Sequence, residues 1–389
     1  MIVTEIRVKD KPSKDKKLFI DYRFKIIYAI AMLSVIADHC RGKGSIEFNI
    51  QGWFPYSSYH MPLFMFAAGY FYKRKNVEST CNYIIRKFKR LILRIYIYNF
   101  FYGLFIQFLK KKGFRNKNII PFSFEILFIK PLGGRGFKYI SPSWFSSSLF
   151  FVEVYNILKR KLISFFKIEL HESIYFLIDL YISYKAVILS NLGYSNREIN
   201  KNILRFMHLN IYFEFAIFFN KHLEKLVKKI KNDIFIVNIF ILKLCFHLYY
   251  SAGPIFYYGA NNYYNYPPFT VIIISFSGIA FWYKISEILE SLLGKNYYIN
   301  IIANNTFSIM INHLLALDLV RTFFAIISKN TKYCKDFNFN KYYSFEDAYI
   351  YIPNNILQSG VVYFLSCLIL PIIMQKIINI IQKSILKIF

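Results

Sequence analysis

Apolar runs close to 20 residues long recur along this whole chain, separated by short basic segments, and that alternation is the signature of a helical protein spanning a membrane many times. We read ten spans, over residues 22–40, 56–72, 91–109, 144–158, 174–192, 203–219, 234–250, 269–288, 299–327 and 356–378. The expected fold is therefore all-α: a polytopic transmembrane bundle. Residues 1–21 form a polar cytoplasmic segment and residues 22–389 one transmembrane domain. The first 18 residues are polar and rich in lysine, without an apolar core, so no removable signal peptide is expected.

Charge sets the orientation. The formal net charge of +28 would suggest a nucleic-acid partner if it sat on a polar domain. Here it sits between apolar runs, which points to membrane lipids and to topology and away from nucleic acid. Lys73-Arg74-Lys75, the run from Arg86 to Arg90, Lys159-Arg160-Lys161, the lysines from Lys225 to Lys231 and the Lys383/Lys387 tail all fall on one side. By the positive-inside rule that side, with both termini, is cytoplasmic. Residues 110–142 and 329–355 are long outer connections that carry several lysines, and long loops obey the rule weakly. The five cysteines are scattered, giving neither a zinc pattern nor a disulfide framework.

Ionisable groups inside such a chain are costly and are by default functional. His39 lies at the outer end of the first span and His60 at the outer entrance of the second. Helices joined by a short loop are antiparallel neighbours, so both imidazoles could share one cavity. An imidazole titrates near neutrality and can take a proton from a hydroxyl. His313 stands well inside a later span, next to Asn312 and after Thr306; it is a second candidate, or packing glue between helices. Lys87 and Arg90, spaced to share a helical face, suit a phosphate or diphosphate, or simply flank the third span. The uncharged outer segment holding Tyr258 and Asn262 suits stacking on a sugar, or an interfacial aromatic belt. No phosphate loop, metal-ligand spacing or serine nucleophile elbow is present.

Five islands in order resemble the membrane-bound acyltransferase family 3, often O-acetyltransferases. They are Ile30 to His39, Tyr59 to Tyr72, Lys87 to Leu91, Ser143-Trp144-Phe145, and Asn305 to Met310 with Asn312-His313. The resemblance implies an enzyme moving an acyl group, most often acetyl, from a cytoplasmic acyl-CoA to a hydroxyl of a cell-surface or exported glycan. It implies a multi-pass protein of a bacterial inner or plasma membrane, with acetyl-CoA or another acyl-CoA as a substrate rather than a resident cofactor, and no metal. It makes His39 the catalytic residue, as general base or transient acyl carrier. It also places Lys87 and Arg90 on the donor. On that chemistry His60, Asn312 and His313, together with Tyr258 and Asn262 of the aromatic segment, are the residues we expect toward the acceptor. Tyr28 stands where the family usually has Arg or Lys, and Lys25, one turn earlier, is the residue to take that part. Asp38 stands where a small residue is common, and Arg94 where proline is common. The competing expectation is a transporter of a glycan or lipid-linked sugar, which inward polar residues and an aromatic outer loop also suit.

Overall fold

The computed structural model describes residues 20–40, 55–72, 79–114, 120–250, 257–258, 262–264, 266–344, 350–353 and 359–386. In chain order the helices are α1 (Tyr22–His39), α2 (Tyr56–Tyr70), α3 (Thr80–Lys111), α4 (Ser143–Phe165), α5 (Glu172–Asn191), α6 (Glu198–Phe218) and α7 (Glu224–Val227). Then come α8 (Asn232–Tyr250), α9 (Pro268–Leu293), α10 (Tyr297–Asn304), α11 (Thr306–Asn330), α12 (Phe339–Tyr343) and α13 (Ser359–Leu386). Among the described residues the only sheet is a hairpin of β1 (Tyr257–Tyr258) and β2 (Tyr263–Tyr264).

Each expected span falls on a helix. Six of them, α3, α5, α8, α9, α11 and α13, are long and apolar enough to cross a membrane. The other four, α1, α2, α4 and α6, are short or carry charge, and they supply much of the interior. In α2 every residue but Ala68 is buried, and α1 buries Arg23 and Lys25 along with its apolar side chains. By contrast α8 and α13 leave most of their apolar surface open. The physical reason is cost: an ion in hydrocarbon is tolerated only where protein surrounds it.

Helix ends differ from the expected ones in three places. Ser79 caps α3, its hydroxyl accepting from the Asn82 amide at 3.2 Å, so the basic run from Arg86 to Arg90 is helical rather than a flank. Helix α4 continues to Phe165 and takes in Lys159 and Arg160, which were expected in a cytoplasmic loop. The span over 299–327 is broken: the Asn305 amide bonds the Ile301 and Ile302 carbonyls, both at 3.1 Å, and closes α10 before α11 begins.

Two buried ionic clusters tie the bundle together. Arg23 bonds Asp21 at 2.6 Å, Glu224 at 3.1 Å and Glu287 at 3.4 Å, and donates to the Tyr283 hydroxyl at 2.5 Å. Tyr70 donates to the other oxygen of Glu224 at 2.8 Å, so α1, α2, α7 and α9 meet at one guanidinium. Burial alone would raise the Glu224 carboxyl; Lys228, Tyr70 and Arg23 outweigh it and hold it down at about 2. The second cluster joins α4, α5 and α6. Lys159 bonds Asp179 at 2.6 Å and Glu214 at 3.2 Å, while Arg160 bonds Glu172 at 2.9 Å and also Glu214.

Small residues let α2 approach its neighbours. A Cβ at Gly69 would stand 2.1 Å from the Phe213 carbonyl oxygen of α6, and one at Gly278 would stand 2.6 Å from the Tyr59 Cβ. Because the first obstacle is backbone, Gly69→Ala is expected to destabilise by about 1–3 kcal/mol, as overpacking does. Thermal unfolding of the purified protein in detergent reads the loss; an unchanged midpoint would contradict this packing.

Candidate active site

Helix α1 runs from its buried basic end at Arg23 and Lys25 to an exposed imidazole at its last residue, His39. Lys25 and His39 are 14 residues apart, about 21 Å along the axis. At the far end His39 meets His313 of α11, with ring centroids 4.7 Å apart and planes inclined by 47°. One ring is open and the other fully buried. Residues 274 positions apart in sequence thus form one imidazole pair.

The tautomer of His313 follows from its partners. Its Nδ1 lies 2.7 Å from the Met310 carbonyl and 3.2 Å from that of Ile309, both acceptors, so Nδ1 carries the proton. Nε2 is left with its lone pair, buried and without a hydrogen-bond partner. A buried base atom beside an accessible imidazole is an arrangement able to receive a proton or an N–H. The helix carrying His313 is held from two sides. Cys367 of α13 lies 3.4 Å from the His313 carbonyl, and Ser308 donates to the Pro371 carbonyl at 2.9 Å.

Asn312 is bound within the protein. Its Oδ1 accepts from the Tyr102 hydroxyl at 2.6 Å and its amide donates to the Ser308 carbonyl at 2.8 Å. The side chain therefore fixes α11 against α3, next to the histidine. Tyr139 continues this polar seam along α11, donating to Asp318 at 2.6 Å. Tyr139, which precedes α4, is thus docked on α11. His60 is buried in the first turn of α2, and its Nδ1 bonds the Tyr56 carbonyl of its own helix.

At the basic end, Lys25 donates to Asn304 Oδ1 at the α10–α11 break. Tyr28 packs its ring 5.9 Å from that of Phe64 and stays buried. The lysine one turn earlier is therefore the cation that reaches across. Lys87 is buried and ion-paired with Glu153 of α4 at 2.7 Å. Arg90 is half-buried on the same face of α3, and Arg94, one turn further, lies over the Phe307 ring at 5.5 Å.

The β1–β2 hairpin is separate. Tyr258 lies in β1, where its backbone pairs with Tyr263; its side chain lies outside the described residues. Asn262 is buried, takes a φ of 50° that asparagine tolerates, and donates to the Lys201 carbonyl at 2.8 Å. Its amide nitrogen thus anchors the hairpin to α6.

Sequence reading missed Tyr102, Glu153 and Arg23. The first had a signal: stepping along α3 at helical spacing from Lys87 through Leu91 and Ile95 leads to Asn99 and Tyr102, all buried. Glu153 and Arg23 had none beyond being charged residues in apolar surroundings. Compared with known proteins, the chain matches a family model described as an acyltransferase domain over residues 22–376. No curated protein matches it, and no solved structure does.

Proposed function

Because the chain belongs to the membrane acyltransferase family 3, we propose that it moves an acyl group, acetyl in the first instance, from a cytoplasmic acyl-CoA to a hydroxyl of a cell-surface or exported glycan. The observation that supports this most is the pairing of an exposed His39 with a buried His313 whose Nε2 keeps its lone pair. The bundle has ten spans with both termini in the cytoplasm. The cations of α1 and α3 then face the donor's compartment and His39 lies toward the acceptor's. The interval of about 21 Å between Lys25 and His39 is one that an extended pantetheine arm can bridge.

In this reading His39 takes the proton of the acceptor hydroxyl while the oxygen attacks the thioester carbonyl carbon. The carbon–sulfur bond breaks and the thiolate leaves, to be protonated to free coenzyme A. The same nitrogen serves if the acyl group rests on His39 in transit, with transfer to the hydroxyl as the second step. His313 is a positioning residue: Nε2 accepts an N–H from His39 and sets which nitrogen faces the substrate. His60, Asn312 and the hairpin with Tyr258 and Asn262 shape the acceptor side. Lys25 and Arg90 contact the donor, and Lys87, its charge met by Glu153, holds α3 against α4 so that Arg90 points inward.

The direct test incubates membranes carrying the protein with radiolabelled acetyl-CoA and follows label into glycan. Label that reaches no glycan, with the protein present and folded, would overturn the reading. Two variants separate positioning from packing. His313→Gln keeps an acceptor oxygen and is expected to lose about tenfold in rate, whereas His313→Leu, of similar bulk without an acceptor, loses about a hundredfold or more. Equal rates for the two would remove the proposed role of Nε2.

A further inference from the structure

Arg94, which stands where the family commonly has proline, is one of two cations on the inner face of α3 that no acidic side chain neutralises among the described residues; Arg90 is the other. Lys87, the neighbour the resemblance implies for the donor, is already paired with Glu153 at 2.7 Å. Arg94 lies over Phe307 at 5.5 Å, and Tyr98 approaches the same ring at 6.2 Å, so the start of α11 sits beside Arg94.

That start offers hydrogen-bond donors of its own. Helix α11 is 25 residues long and concentrates partial positive charge at its first amides. Asn305 does not cap them: its side-chain amide turns back to the Ile301 carbonyl at 2.8 Å and makes no capping bond. Thr306, the first residue of the helix, is 1% exposed and its hydroxyl has no hydrogen-bond partner. Lys25 arrives from α1 onto Asn304 two residues before it. An orphan donor, a helix N-terminus and the Arg94 guanidinium therefore meet at one place, with Arg90 one turn earlier on α3, and no carboxylate pairs with either arginine among the described residues.

We propose that this place binds a phosphate group of the coenzyme A donor, with Arg94 and Arg90 as charged ligands and the Thr306 hydroxyl and the first amides of α11 as neutral donors. Forked guanidinium donors and helix N-termini are both suited to phosphate oxygens. The assignment rests on the acyl-CoA reading above, and it moves the charged donor contact from Lys87 to Arg94.

The test is calorimetric titration of the full chain in nanodiscs of zwitterionic lipid, with coenzyme A and with pantetheine, which has the same arm and no phosphate. Wild type should bind coenzyme A far more tightly than pantetheine. Arg94→Gln should weaken coenzyme A about tenfold to a hundredfold, and Thr306→Val about two- to tenfold, the ordinary range for charged and neutral hydrogen bonds. Both should leave pantetheine within about twofold. Lys87→Gln should lower the unfolding temperature, because it leaves the buried Glu153 carboxylate without its partner. If wild type binds no coenzyme A, the acyl-CoA reading fails and the site with it. If wild type binds and Arg94→Gln binds equally well, the site alone fails. A third arm adds anionic phospholipid to the nanodiscs. Loss of bound lipid in Arg94→Gln with coenzyme A affinity unchanged would assign the arginines to a headgroup and overturn the donor assignment.

Discussion

Exchange of His39 for alanine is expected to lower acyl transfer by about a thousandfold while the protein still accumulates in the membrane. The size follows from removal of the general base, worth on the order of 10²–10⁴ in rate. The small structural cost follows from position: His39 is exposed on the last residue of α1, where truncation opens no core cavity. His313 cannot replace it, because that ring is fully buried and its Nδ1 is engaged by backbone carbonyls. Initial rates with radiolabelled acetyl-CoA, normalised to membrane abundance by immunoblot, make the measurement. Activity within about tenfold of wild type would remove His39 from the chemistry.

The second large effect is on stability. Arg23→Met should destabilise the bundle by about 3–5 kcal/mol, because it leaves buried carboxylates without their counter-ion. Asp21, Glu224 and Glu287 all lie within 3.4 Å of the guanidinium, and Tyr70 and Tyr283 share the cluster. Glu224 keeps Lys228 at 2.7 Å, whereas Asp21 would keep no ion pair among the described residues. Thermal unfolding in detergent should show a large fall for Arg23→Met and a smaller one for Arg23→Lys, which restores charge without the fork. Similar midpoints for wild type and Arg23→Met would mean that the cluster does not bind α1, α2, α7 and α9 together.

Helix positions were legible in the sequence because apolar run length is a strong signal: among the described residues each expected span falls on one helix, except 299–327, which is divided between α10 and α11. What could not be read is which charges the helices carry inside. Lys159 and Arg160 look like a loop flank, yet they are the centre of the α4–α5–α6 cluster; only their carboxylate partners, tens of residues away, say so. The break between α10 and α11 is likewise invisible in an apolar run, since asparagines at 304 and 305 are as compatible with a continuous helix as with a stop. It matters, because it gives α11 a free N-terminus beside Arg94.

The site was half legible. His39 and His313 each stood out as ionisable groups in apolar segments, but nothing in the sequence says that they touch. Asn312 was expected toward a substrate, and what the sequence did not show is that its amide is bonded by Tyr102 and Ser308, as a buried amide must find partners somewhere. Asn262 follows the same logic, its amide spent on the Lys201 carbonyl. Lys87 was recognised by its spacing to Arg90, a pattern that records the shared face of a helix but not the carboxylate opposite it.

The central claim is that this protein changes its acceptor covalently through His39. Mass spectrometry of the source cell's surface glycans tests it most directly, comparing wild type, a null strain, and the null strain carrying His39→Ala at normal membrane abundance. The account predicts that one glycan loses an acetyl-sized or other acyl mass in both mutants and regains it with the wild-type protein. Glycan masses identical in all three strains, with only the amount at the surface altered, would contradict it and point to transport instead.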